Sequence, residues 1–147
     1  MWPELDAFAA ELDDAINVTL EGEVAEGAKA AISEAVQSEV YDAYFPIEYD
    51  RRGLQSGGLA DTNVMAAQLD PFAHELTVTD ESRDNDSGRL IAPVVESGQG
   101  YEWSKAEIAR SRMPRPFHEI AEERFAESGE FEEALTRGLE KQGFEVR

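Results

Sequence analysis

The chain contains no cysteine. That excludes disulfide staples, thiolate metal sites and a cysteine nucleophile, and it leaves the redox compartment open. Positive charge is scarce: 13 Lys and Arg stand against 32 Asp and Glu, a formal net charge of −19. Such a chain repels nucleic acid at long range, because DNA binding relies on Lys and Arg displacing counterions from phosphates. Lysine occurs only at Lys29, Lys105 and Lys141. Two origins of the acidity stay open. Concentrated salt would screen the self-repulsion of an acidic chain, or the host simply encodes an acidic protein. Long apolar runs are also missing, and none approaches the roughly 20 residues of a membrane span. Met1-Trp2-Pro3-Glu4 has neither a basic start nor an apolar core, so the expectation is a soluble protein without a signal peptide, made in the cytoplasm.

What is present suffices for one domain. The 147 residues are 41% hydrophobic and 31% charged, inside the globular range, so a single core is expected. From Phe8 onward apolar residues recur at Leu12, Ile16, Leu20, Val24, Ala28, Ile32, Val36, Val40 and Tyr44, always four apart. On a helix of 3.6 residues per turn each step drifts about 40°. The stripe would wind around one straight helix, so a break is predicted within Asn17 to Gly27, where β-branched residues and two glycines fall. Two helices follow from this, Pro3–Ile16 and Glu23–Tyr44, the second stopped by Tyr44-Phe45-Pro46.

Residues 45–61 read as an irregular loop. Asn63–Leu69 and His74–Thr79 read as strands joined at Asp70-Pro71, the second with Leu76 and Val78 alternating with polar residues. Arg89–Val95 is compatible with a strand or a short helix, and Pro93 near a first turn with Gly98 as terminator favours the helix. After a loop over 99–115, Pro116 opens a helix with Phe117, Ile120, Ala121 and Phe125 on one face. Gly129 interrupts it, and Phe131, Leu135 and Leu139 carry a last helix to Gly143. The predicted class is α+β: N-terminal and C-terminal helices packed on a small antiparallel sheet, with residues 1–147 as a single domain.

No catalytic constellation emerges. His74 and His118 are distant in sequence, and no Gly-x-Ser-x-Gly elbow accompanies them. They read as exposed or capping histidines. The carboxylates of the C-terminal helices alternate with apolar positions, as a solvated face does. Asp80 to Gly88 is rich in oxygen donors, but no register places glycine sixth and glutamate twelfth as a calcium loop needs. Catalytic, cofactor and metal residues are therefore assigned to none.

The cations cluster instead. Arg51-Arg52 form one pair, and Arg110, Arg112 and Arg115 precede Phe117. Arginines in so acidic a chain fork onto carboxylates, within the subunit or on an acidic neighbour, or else contact phosphate. Tyr101 and Trp103 beside Gly98 and Gly100 add aromatics of the kind concentrated in interface cores, with burial of Trp103 in the subunit's own core as the alternative. Arg51, Arg52, Tyr101, Trp103, Arg112, Arg115 and Phe117 are the candidate interface residues.

Val40-Tyr41-Asp42-Ala43-Tyr44-Phe45-Pro46-Ile47-Glu48-Tyr49-Asp50-Arg51-Arg52-Gly53 and Gly57-Gly58-Leu59-Ala60-Asp61 resemble small proteins of long-tailed phages and prophages. That family comprises tail-completion and head–tail joining proteins. Ala92-Pro93-Val94-Val95-Glu96-Ser97-Gly98-Gln99-Gly100-Tyr101 is similar to its apolar–Glu–x–Gly element, and Pro114-Arg115-Pro116-Phe117 to its Arg-Pro-Phe gate. Gly138-Leu139-Glu140-Lys141-Gln142-Gly143 matches its C-terminal end. The resemblance spans roughly Ile32 to Gly143 and leaves out the N-terminal helix. It implies a non-enzymatic neck protein of the virion, assembled in the host cytoplasm, in a ring of copies of itself that is often hexameric. Connector and tail-tube or tail-terminator proteins would be its neighbours, and DNA would only pass through the lumen. Ring closure needs two different patches per subunit, for which Arg51–Gly58 and Gly98–Phe117 are the candidates. An acidic DNA-mimic inhibitor of a DNA-binding enzyme is the alternative that the charge suggests.

Overall fold

The computed structural model describes residues 2–42, 57–85, 87–99 and 114–147. The four-residue apolar spacing is met without a break, which corrects the expectation of two separate helices. Helix α1 (Pro3–Thr19) runs through a π-helical turn (Leu20–Val24) into α2 (Ala25–Val36) and then a second π-helical turn (Gln37–Tyr41). Backbone angles stay right-handed helical at each junction. In the α stretches a step of four overshoots a full turn, and in a wider i→i+5 turn it falls short. Alternating the two returns the stripe to one face, so Leu20, Val24, Ile32, Val36 and Val40 all reach the core. The result is one rod of roughly 60 Å. The predicted stop at Tyr44-Phe45-Pro46 lies outside the described residues.

Gly27, read from the sequence as part of a break, is a packing position instead. A Cβ there would lie 2.9 Å from Cε2 and Cζ of Phe125. Its absence lets the Phe125 ring close against the rod.

A 3₁₀ turn (Thr62–Val64), with the Asp61 side chain accepting from the Asn63 amide at 3.0 Å, leads into β1 (Met65–Asp70). This strand pairs antiparallel with β2 (Glu75–Asp80), in register from Met65 opposite Asp80 to Asp70 opposite Glu75. Asp70 Oδ1 accepts from the amides of Phe72 and Ala73, which folds the turn. Helix α3 (Ala92–Ser97) ends at Gly98 in the left-handed region, φ 69°, so the helical reading of this segment holds. Helices α4 (Phe117–Glu127) and α5 (Glu130–Lys141) meet at Gly129, φ 82°.

N-terminal and C-terminal helices thus pack on a small antiparallel sheet, the α+β arrangement expected. Helix α4 lies along α2, and α5 lies across α1 and the first π turn. The core joins Val36 and Ala35 of the rod to Phe117, Ala121 and Phe125 of α4, with Met65 of the hairpin and Val95 of α3. Leu59 and Ala60 also enter it, and Ser33 Oγ donates to the Ala60 carbonyl at 2.7 Å. The described end of the 45–61 segment is therefore interior, not a surface loop.

Candidate functional site

Three elements converge on His118, the second residue of α4. Its backbone amide donates to Glu96 Oε1 at 2.9 Å, and its Nδ1 lies 2.7 Å from the same oxygen. On the other side of the ring, Nε2 accepts the amide of Asp80 at 2.9 Å. That acceptor role fixes the tautomer: Nδ1 carries the proton and gives it to Glu96. Burial pushes the Glu96 carboxyl up, but the two hydrogen bonds from His118 outweigh it and leave the pKa below its ordinary value. Asp80, the last residue of β2, is only 4% exposed. Burial raises its pKa against a bond from the Ser82 amide at 2.9 Å, and Glu96 raises it further.

This node is a clamp between β2, α3 and α4. Both ring nitrogens of His118 are occupied, so neither is left to take a proton from a substrate or to ligate a metal. Among the described residues no group of three or more His, Cys, Asp or Glu is placed to hold a metal ion.

His74 performs a similar task at the hairpin tip, where it sits at φ 52°. Its Nδ1 is 2.9 Å from Asn17 Oδ1 and its Nε2 is 3.3 Å from Asp13 Oδ1. Asn17 Nδ2 in turn donates to the Pro71 carbonyl at 3.2 Å. Both histidines join separate elements. Sequence reasoning, which took them as exposed or capping, missed these roles, because the partners lie 57 and 22 residues away.

Of the candidate interface residues, Arg51, Arg52, Tyr101, Trp103 and Arg112 lie outside the described residues. Arg115 is half-buried, and its amide donates to the carbonyls of Val95 and Glu96 at 3.2 and 3.1 Å. The ends of the predicted 99–115 loop are thereby held at the C-terminus of α3. Phe117 corrects the expectation. It is 0% exposed and stacks on His118 with ring centroids 4.6 Å apart, so its side chain serves this subunit's own core, not a surface contact. Among the described residues, other cations also meet carboxylates. Arg124 bonds Ser38 Oγ at 2.8 Å and Glu39 at 2.6 Å, and Arg137 and Lys141 share Glu23.

Two open apolar surfaces complete the picture. A groove of about 770 Å³ between the rod, β2 and α4 is lined by Val24, Ile32, Leu76, Val78 and Phe125, together with His74 and His118. At the far end of the rod, Trp2, Leu5 and Phe8 are 76%, 61% and 52% exposed, and Phe8 meets Phe144 of the C-terminal tail at 6.1 Å.

A helical rod braced by a hairpin and two C-terminal helices, with polar nodes that join these elements, defines a small α+β protein. The chain belongs to the YomN family, whose model matches residues 4–141. It is similar to the SPbeta prophage-derived uncharacterized protein YomN of Bacillus subtilis (strain 168), with 29% identity over 113 residues, covering 77% of this chain and 73% of that protein. No solved structure matches it.

Proposed function

We propose that this protein is a structural, non-enzymatic component of a tailed-virus particle, a tail-completion or head–tail joining protein at the neck. The observation that carries the reading is its kinship, across most of the chain, with a prophage-derived protein. The ordered motif blocks from Val40 to Gly143 support the finer assignment. The net charge of −19 suits a ring lumen through which DNA slides without being gripped. Copies of itself, a connector protein and a tail protein are the partners. Electron micrographs of particles made without this protein should show separate heads and tails. Normally joined particles would refute the reading.

A second reading rests on the rod. Glu4, Glu11, Asp14 and Glu21 are all exposed along one flank of it, an elongated acidic face of the kind a DNA-mimic inhibitor offers to a DNA-binding enzyme. Competition with duplex DNA for such an enzyme tests it, and no competition would discard it.

A further inference from the structure

The apolar stripe that enters the core at Leu20 does not stop where the body of the protein stops. It continues outward along α1 through Ile16 and Leu12 to Ala9, Phe8, Leu5 and Trp2. At 100° per residue these positions fall within an arc of about 120°. Leu5 and Trp2 are 61% and 76% exposed. Carboxylates border the arc on both sides: Asp6 and Asp13 on one, Glu4 and Glu11 on the other, all exposed. No lysine or arginine occurs before Lys29.

We infer that this end of α1 docks a basic amphipathic segment of a different protein, with an apolar stripe seated on Trp2, Leu5 and Phe8 and cations on the flanking carboxylates. The charge decides against the same helix face of a second copy of this chain. Two such helix faces would bring eight carboxylates together. Among the described residues every Lys and Arg already has a partner within the chain, so a second copy offers no free cationic face from those residues. An acidic border also opposes a negatively charged lipid surface. An incoming helix would continue the core outward, taking toward α1 the place that α4 takes toward α2. This inference concerns partner chemistry alone and does not depend on the virion reading.

The test uses the full chain and three fluorescein-labelled synthetic peptides of about 18 residues. One has a leucine stripe flanked by lysines, one has the same composition scrambled, and one has glutamate in place of lysine. Anisotropy should show the striped lysine peptide binding at least tenfold more tightly than the other two. The W2S/L5S variant, with unchanged circular dichroism, should lose at least tenfold of that affinity. The L5S variant alone, which keeps Trp2 and Phe8, should fall between. Equal binding of the scrambled peptide, or affinity untouched in W2S/L5S, would reduce the surface to nonspecific charge and overturn the proposal. So would concentration-dependent self-association in sedimentation that W2S/L5S abolishes, or comparable binding to phosphatidylcholine vesicles.

Discussion

The two ends of the rod obey the same sequence rule and meet opposite fates. From Leu20 to Val40 the four-residue stripe is at most 7% exposed, save for the half-buried Ala28, and is sheathed by α4, the hairpin and α3. From Trp2 to Phe8 the same kind of stripe stands in solvent. Helix propensity and spacing do not distinguish them. What differs is whether later chain returns to cover the helix, and nothing in the first 40 residues encodes that. A buried stripe contributes to stability, and an exposed continuation of it need not.

The comparison breaks first if the sheathed end is not the source of stability. Phe117, the first residue of α4, is fully buried in the core that it shares with Val36 of the rod and Val95 of α3. Phe117→Ala removes the transfer energy of the ring and leaves a cavity, a loss of about 3–5 kcal/mol. Denaturant melts read by far-UV circular dichroism should show the midpoint falling with little change of slope. A loss near zero would mean that the assigned core is wrong.

The junction of the two ends is the next place to press. Helix α5 crosses the rod at Gly138, where an added Cβ would collide with Thr19 Cγ2 and lie 2.9 Å from Thr19 Oγ1. Gly138→Ala should cost about 1–3 kcal/mol by overpacking, despite alanine's better helix propensity. Thr19→Ala removes the colliding methyl and a buried hydroxyl without a partner among the described atoms. The double variant should therefore recover most of the loss, and a non-additive cycle is the signature. Simple additivity of the two changes would show that the helices do not approach there.

Smaller and pH-dependent is the clamp. Glu96 has a lowered pKa in the folded state, so its contribution is present above its ordinary value of 4.5 and is lost as pH falls through the lower folded value. Asp80 has the opposite sign. Its raised pKa favours the folded state below its unfolded value, and that benefit is lost as pH rises through the folded one. Glu96→Gln replaces charge-assisted bonds to His118 by neutral ones, a difference of about 1 kcal/mol at neutral pH. The gap between wild type and variant should close as pH falls below 4.5. A gap independent of pH would mean that the His118 contacts do not depend on the carboxylate charge.

How much of this was legible beforehand follows from the range of each interaction. The hairpin at Asp70-Pro71, the stop at Gly98, the interruption at Gly129 and the face of Phe117, Ala121 and Phe125 are local signals, and each appears in the fold within a residue or two. The rod was misread because a drift of 40° per step assumes a purely α-helical period. Two π turns change the period, and no propensity scale marks them. Gly27 was misread for a related reason: its job is set by Phe125, far along the chain. The histidine contacts and the burial of Phe117 likewise depend on elements that meet only after folding. Of the candidate interface, Arg115 alone among the described residues keeps a place near the surface.

The smallest expected effect sharpens the contrast most. Leu5 and Leu20 are the same residue type on the same helix, 61% and 6% exposed. Leu20→Ala should cost about 2–5 kcal/mol, the range for a buried leucine. Leu5→Ala exchanges an exposed side chain for a stronger helix former and should change stability by no more than about 0.5 kcal/mol. If Leu5→Ala instead destabilised the isolated protein like a core change, the outer stripe would already be covered within the subunit or by another copy. Indifference to that substitution in melts, together with sensitivity in peptide binding, is the pattern that separates a surface kept for a partner from a surface kept for folding.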